Sequence, residues 1–122
     1  MTNKHLFWGS IICAMAVAIG AFGAHAWKDY LTETNRLDTF ETAAKYQMYG
    51  GFSLILLGII EKQQSHKLFN LVGYFFLAAC LIFPGSLYLI CLTQQKVFGA
   101  IAPIGGLSFI LGFILLAKSS LK

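Results

Sequence analysis

Charged residues are scarce in this sequence. Of its 122 residues only 11% are Asp, Glu, Lys or Arg, whereas 57% are hydrophobic. A soluble domain carries roughly 25% charged residues, so this chain has too few of them to cover a surface that faces water. The composition excludes an ordinary soluble domain and predicts a protein surrounded mainly by lipid.

Cysteine is also scarce, and the spacing of the three cysteines is not that of a disulfide framework. Cys13, Cys80 and Cys91 are far apart and lie inside apolar stretches. An odd number of widely separated thiols does not indicate a set of disulfides. Buried cysteine usually packs as a small hydrophobic residue, and that is the role we expect here.

Motifs for catalysis, metal binding and nucleic-acid binding are missing. The sequence has no zinc motif, no phosphate loop and no recognisable pairing of a nucleophile with a base. Its nine Lys and Arg residues give a net charge of +4, but no helix or face gathers them into a basic stripe. We therefore expect no enzyme, no cofactor or metal, and no nucleic-acid partner.

Long apolar stretches dominate the chain instead. The first, Leu6–Ala26, has no acidic or basic side chain before His25. As a helix it would be about 31 Å long, close to the thickness of the hydrocarbon core of a bilayer. A signal peptide is the alternative, but the run is longer than an ordinary signal-peptide core, so we interpret it as a retained span. Three further stretches predict spans, which gives four in all: residues 6–26, 40–60, 68–92 and 97–117.

The predicted fold is an all-α membrane protein with a single domain, residues 1–122, that forms a four-transmembrane-helix up-and-down bundle. The longest polar loop is expected at residues 27–37. Asp38 and Glu41 have the spacing of a capping box at the start of span two.

Two prolines predict local irregularities. Pro84 inside span three predicts a kink that frees the carbonyl of Cys80, which Ser86 or a neighbouring helix would have to satisfy. Pro103 suits the first turn of a helix, so residues 97–101 are expected to form an irregular entry to span four.

Small residues at helical spacing predict close packing between helices. Ala16, Gly20 and Ala24 are four residues apart, which would place them on one face of span one. Span four carries a similar stripe at Gly105, Ser108 and Gly112. The residues predicted to serve helix packing are Gly20, Gly23, Ala24, Gly105, Gly106 and Gly112.

An even number of spans brings most of the unusual residues to one end of the bundle. This gathering predicts a one-leaflet pocket, with these candidates: His25, Tyr46, Gln47, Ser86, Tyr88 and Gly105. His25 could be functional, or it could face interfacial water. For Gln47, Ser86 and Tyr88, hydrogen bonding between helices is the simpler alternative. Interfacial anchoring is the simpler alternative for Tyr46.

The distribution of positive charge favours cytoplasmic termini. The side with the termini and the turn at residues 61–67 carries five Lys, and the other side carries four Lys or Arg. The positive-inside rule counts these residues and gives acids little weight.

Four motifs occur in order along the chain: Gly20-Ala21-Phe22-Gly23-Ala24-His25, Phe40-x-Thr42-Ala43-x-x-Tyr46-Gln47, Gly85-Ser86-Leu87-Tyr88 and Pro103-x-Gly105-Gly106. Together they resemble the domain-of-unknown-function family 423, the YgdD-like small bacterial membrane proteins to which mitochondrial transmembrane protein 256 is related. The resemblance implies a four-helix protein of the bacterial inner (cytoplasmic) membrane and brings no activity with it. Where the family usually has a histidine this chain has Gly50, so a two-histidine site with His25 is not available. Where the family often has Thr it has Ala102, which loses an N-cap hydroxyl.

Two functions follow as hypotheses. The first is a non-catalytic membrane subunit that packs against a second copy or a larger membrane complex, with the lipid bilayer as its surroundings. The second is a lipid or small-molecule binding or transport protein that uses the one-leaflet pocket.

Overall fold

The computed structural model describes residues 3–121, and these form helices and turns with no strand. The helices are α1 (Lys4–His25), α2 (Lys28–Glu33), α3 (Leu37–Gln63), α4 (Phe69–Thr93) and α5 (Ala102–Ser119). A short 3-10 helix, Lys96–Ala100, precedes α5. The all-α prediction is confirmed.

Among residues 3–121, three segments are long and apolar enough to cross a membrane: α1, α4 and the segment Lys96–Ser119. They correspond to the first, third and fourth predicted spans. Helix α3 matches the second predicted span in position, but it does not have this composition, because acidic and basic side chains lie near both of its ends.

The long helices pack side by side in chain order, α1 on α3, α3 on α4 and α4 on α5. Each runs antiparallel to the one before it. The start of α1 meets the end of α3, since Asn3 Nδ2 donates to the carbonyl of Gly58 at 2.9 Å, while its other end meets Phe40 near the start of α3. The main core lies on α3 and α4, with Phe109 from α5: Leu54, Leu57, Phe69, Val72, Phe76, Ala79, Cys80 and Phe109.

The seam between α1 and α3 is built from small residues. The buried residues of α1 are Gly9, Ala16 and Gly23, spaced seven apart. This spacing keeps a side chain on the contact line of two helices that cross at a shallow left-handed angle. A Cβ atom on Gly9 would lie 2.7 Å from the carbonyl oxygen of Gly51, so the two backbones touch directly.

The predicted stripe of residues four apart on α1 is therefore wrong after Ala16. A Cβ on Gly20 would have nothing within 4 Å, and Ala24 is exposed. A step of four residues turns a helix by about 40° relative to the contact line, whereas a step of seven turns it by only about 20°. The prediction for Gly23 is confirmed, because this residue leaves room for the ring of Phe40.

Small residues also line the seam between α4 and α5, as predicted for Gly105 and Gly112. A Cβ atom on Gly112 would lie only 2.7 Å from ring atoms of Phe76, so the glycine leaves room for this ring. At Gly105 the backbone of α4 itself approaches, since a Cβ there would lie 2.5 Å from the backbone nitrogen of Phe83. Ser108 Oγ donates to the carbonyl of Phe75 at 2.7 Å. Gly106 is a correction: a Cβ there would have nothing within 4 Å, since the next residue on a helix is turned by about 100°.

Helix α4 is continuous through Pro84, and the predicted kink stays a prediction. Of the two alternatives given for the Cys80 carbonyl, the structure does not show the bond from Ser86. Its hydroxyl donates to the carbonyl of Phe83, three residues earlier, at 2.9 Å, a common local bond for serine in helices. The irregular entry to span four is confirmed by the 3-10 helix before Pro103.

The polar connection at residues 27–37 differs from the prediction because it contains helix α2. The predicted capping box is also wrong: α3 begins at Leu37, its N-cap is Arg36, and no side chain caps it. Asp38 lies instead inside the first turn, where its negative charge interacts favourably with the positive end of the helix dipole.

Candidate functional site

Gln47 and Tyr88 form the centre of the predicted cluster. The Tyr88 hydroxyl donates to Gln47 Oε1 at 2.7 Å, and Gln47 Nε2 donates to the carbonyl of Ile12 at 3.2 Å. Gln47 is only 7% exposed. One amide thus links α1, α3 and α4, which is the hydrogen bonding between helices given above as the simpler alternative.

A second polar network lies beside it and was not predicted. Tyr30 on α2 donates from its hydroxyl to the carbonyl of Cys91 at 2.8 Å. Gln94 accepts from Arg36 Nε at 2.9 Å and donates from Nε2 to the Tyr30 hydroxyl at 3.1 Å. Gln94 follows α4 in the left-handed conformation, with φ 61°, and this turn brings its amide back over the helix end. The network fixes α2 and the start of α3 to the end of α4.

Aromatic and aliphatic side chains close this end of the molecule. Leu31 of α2 is fully buried, and it forms a cluster with Phe40 and Cys91. Trp27 stacks on Tyr30 with 4.9 Å between ring centroids. In the part of the chain that the structure describes, no buried polar side-chain atom lacks a hydrogen-bond partner. The cluster therefore has the construction of a packed interior, with its polar groups already satisfied.

The other predicted site residues lie around this interior. Tyr46 is 38% exposed and packs edge-on against Phe83, with ring centroids 4.9 Å apart. Ser86 is buried and bonded within its own helix. His25 is the last residue of α1 and is exposed. The structure therefore brings Gln47 and Tyr88 together and places His25 outside the polar network.

The larger open cavity lies at the opposite end of the molecule, where α1 and α4 begin and α3 ends. Its volume is about 810 Å³. The three helices and Asn3 line it: Asn3, Lys4, His5, Trp8, Leu54, Glu61, Lys62, Asn70, Gly73, Tyr74 and Leu77. No residue of the predicted pocket takes part.

A pair of titratable side chains lies at this cavity. His5 Nδ1 contacts Glu61 Oε1, and the two side chains are 21% and 27% exposed. The imidazole fills the space that Gly73 leaves open on α4. Sequence reasoning missed the pair because His5 and Glu61 are separated by 56 positions. The available signal was the antiparallel packing of spans one and two, which brings the start of one to the end of the other.

The arrangement offers charged and amide groups at this end of the molecule. Within residues 3–121, no three His, Cys, Asp or Glu side chains are close enough to hold a metal ion. A second, smaller groove of about 370 Å³ lies between α4 and α5 and is almost entirely apolar.

Comparison with known proteins identifies relatives over most of the chain. The family described as "Protein of unknown function (DUF423)" matches residues 19–106. A UPF0382 membrane protein of Staphylococcus aureus (strain bovine RF122) is 41% identical over 114 residues, which are 93% of this chain and 92% of the relative. UPF0382 membrane proteins of Staphylococcus epidermidis and Staphylococcus saprophyticus are 40% and 41% identical over the same length, with 92% and 93% of each relative covered. No solved structure matches.

Proposed function

The chain belongs to the DUF423 family of proteins of unknown function, and from this premise we propose that it is a non-catalytic, four-span membrane subunit that pairs with a second copy of itself. Its relatives are membrane proteins, and three of its own segments can cross a bilayer. An integral membrane location follows from these two observations together.

The packing of α3 supports a fourth crossing. This helix contacts Gly23 of α1 through Phe40 at one end and His5 of α1 through Glu61 at the other. A helix that lies along the whole of a membrane span has the same depth as that span. Its lower apolar content has a physical reason: many of its less apolar residues face neighbouring helices and not lipid, namely Gln47, Gly50, Gly51, Ser53 and Gly58.

The outer face of α1 is the observation that carries the pairing. Helical spacing places an exposed surface of α1 opposite the α3 seam, and we define the outer face by its small residues and the terminal histidine: Ser10, Ala14, Ala18, Ala21 and His25. The larger side chains of Phe7, Ile11 and Phe22 border this face and are exposed as well. Small residues in membrane helices let another helix backbone approach closely, whereas a lipid-facing surface favours large aliphatic side chains. On α1 the small residues of the seam are buried against α3, whereas those of the outer face are exposed.

A second copy fits this face better than other partners do. Helix α1 packs mainly on α3 alone, so its far side is free along its whole length. The outer face carries no acidic or basic residue apart from His25 at its end, so two copies would not repel each other. Symmetric dimers use the same patch on both subunits, and a groove of small residues bordered by larger side chains can receive the matching groove of a second copy.

Bulky substitutions on the outer face test this pairing. We expect the protein to be a dimer in mild detergent and the double variant Ala14→Leu, Ala18→Leu to be a monomer, as measured by light scattering on the eluting complex. Met15→Leu is the matched control, because Met15 is 52% exposed on the flank of the same helix. A monomeric wild-type protein, or a dimer that survives both leucines, would overturn the proposal.

Ligand binding at the predicted pocket has no observation in its favour. Gln47 and Tyr88 satisfy each other, and Phe83 lies against Gly105. We assign His25 to the end of the outer face of α1, where it would lie near the lipid boundary of the dimer. The finer placement that we propose is the bacterial cytoplasmic membrane with both termini in the cytoplasm, on the lysine excess given above.

A further inference from the structure

We propose that the cavity between α1, α3 and α4 binds the headgroup and the upper acyl chain of an anionic phospholipid. This site lies on a different side of α1 from its outer face, and the inference does not depend on pairing. It follows from the shape of the cavity, its depth in the membrane and its charge.

The shape suits one amphiphilic molecule. The cavity of about 810 Å³ falls in the range of roughly 300–1,000 Å³ typical of sites for small ligands. Trp8 on α1 and Tyr74 on α4 stand on its two sides and are 51% and 71% exposed. A groove that is open toward the lipid between two helices admits a lipid sideways, without a path through water.

Polarity changes along the depth of the cavity. Its outer part is lined by amide and charged groups, including Asn70 at the start of α4. Leu54 comes seven residues before Glu61 on α3, and Leu77 comes seven residues after Asn70 on α4. Because the two helices are antiparallel, both leucines lie about 10 Å deeper, at 1.5 Å per residue. A polar head above an apolar wall of this depth matches a phospholipid and does not match a fully soluble ligand.

The charge at this end of the molecule favours an anion. Among residues 3–121 this end carries Glu61 as its acid against four lysines: Lys4, Lys62, Lys67 and Lys118. The opposite end has four basic residues and four acidic ones, so its charges balance. Two of the four lysines, Lys4 and Lys62, line the cavity. Each lysine near a membrane surface contributes about 1 kcal/mol to the attraction of anionic lipid.

The His5–Glu61 contact leaves these lysines free for a ligand. Glu61 is the acid that could neutralise them, and its carboxylate contacts the imidazole of His5 instead. Gly73 makes this possible, because the imidazole occupies the place where a Cβ atom would be.

Tryptophan fluorescence provides the experiment. Trp8 lines the cavity, and the second tryptophan, Trp27, lies at the opposite end, so the variant Trp27→Phe leaves a single reporter. The protein would be placed in nanodiscs that contain either phosphatidylglycerol or phosphatidylcholine with brominated acyl chains, which quench a nearby indole. We expect brominated phosphatidylglycerol to quench Trp8 at a several-fold lower mole fraction than brominated phosphatidylcholine.

Two double variants make the test specific. Lys4→Gln with Lys62→Gln should remove this several-fold preference, because both lysines line the cavity. Lys67→Gln with Lys118→Gln removes the same net charge from the same end without touching the cavity lining, and should retain it. Circular dichroism would confirm that both variants are folded.

Three results would overturn the inference. One is equal quenching by the two lipids. Another is equal loss of the preference in the two double variants. The third is full displacement of the lipid by soluble glycerol phosphate, which would show that the site recognises a phosphate ester without its chains.

Discussion

Gln47 is the side chain that holds three helices in one arrangement. Its amide accepts from Tyr88 on α4 and donates to a carbonyl of α1, while its own backbone belongs to α3. A buried amide left without partners costs roughly 1–3 kcal/mol, because no water can replace the lost bond. The bond with Tyr88 therefore fixes the rotation of α4 relative to α3 as well as adding stability.

Removal of the Tyr88 hydroxyl tests this role. We expect Tyr88→Phe to lower the free energy of unfolding in detergent by about 1–3 kcal/mol, because Gln47 Oε1 loses its donor. The combined variant Gln47→Leu, Tyr88→Phe should recover part of the loss, since it leaves no buried polar atom unpaired. Tyr49→Phe is the control, because Tyr49 is 48% exposed on the outside of α3. An equal loss of stability in this variant would contradict the role assigned to Tyr88.

Histidines show how far single residues can be interpreted from sequence. His25 was a predicted site residue because it follows a long apolar run, but it lies at a helix end and is exposed. His5 was not among the predicted site residues, although it contacts Glu61 on a neighbouring helix. The position of a residue in an apolar run indicates its depth in the membrane. It does not indicate which way the side chain points, because that depends on the rotation of the helix.

At the scale of an element, the glycines of helix α1 differ in whether they contact the backbone of another helix. Gly9 meets the backbone of α3, whereas Gly20 faces open space. Both residues are glycines in the interior of one helix, so both have the same low intrinsic helix propensity. Their difference lies in packing alone.

Alanine at these two positions should have opposite effects. Gly9→Ala places a Cβ 2.7 Å from the Gly51 carbonyl oxygen and 2.8 Å from the Ile55 nitrogen, both backbone atoms that cannot turn aside. We expect α1 to separate from α3 and the protein to lose about 1–3 kcal/mol of stability, the usual effect of overpacking. Gly20→Ala should be neutral or stabilising by up to about 1 kcal/mol. Thermal unfolding of the two variants in the same detergent compares them directly, and a stable Gly9→Ala protein would refute the direct backbone contact.

The positions of the long helices were easier to predict from the sequence than the faces through which these helices contact one another. The apolar runs predicted the long helices closely: residues 68–92, for example, correspond to α4 at Phe69–Thr93. Helix α2 was not predicted because it is only six residues long and mostly polar. Tertiary contacts stabilise it, namely the burial of Leu31 and the hydrogen bonds of Tyr30. Periodicity inside an all-apolar span is weak, since lipid accepts the same side chains as a protein interior, so the contact face of α1 could not be assigned from hydrophobicity.

For the whole molecule, the proposed topology makes a prediction about sidedness. Glu33 on α2 and Ser65 after α3 are exposed and lie at opposite ends of α3. With Cys13, Cys80 and Cys91 replaced, we expect Glu33→Cys to react with a membrane-impermeant maleimide on intact cells. Ser65→Cys should react only after the membrane is opened.

Ser120→Cys serves as the control, because it should behave like Ser65→Cys on the side of the termini. If Glu33→Cys and Ser65→Cys react from the same side, α3 does not cross the membrane. If both accessibilities are reversed, the four crossings stand and the cytoplasmic placement of the termini is wrong.

The bond between Tyr30 and Cys91 has a consequence for biosynthesis. The two residues are 61 positions apart, so at roughly 5–20 residues per second a ribosome needs about 3–12 s after Tyr30 to supply its partner. During that interval α2 lacks the hydrogen bonds that hold it to the end of α4. Newly made chains therefore pass through a stage in which that end of the molecule is open, and only the arrival of α4 closes it.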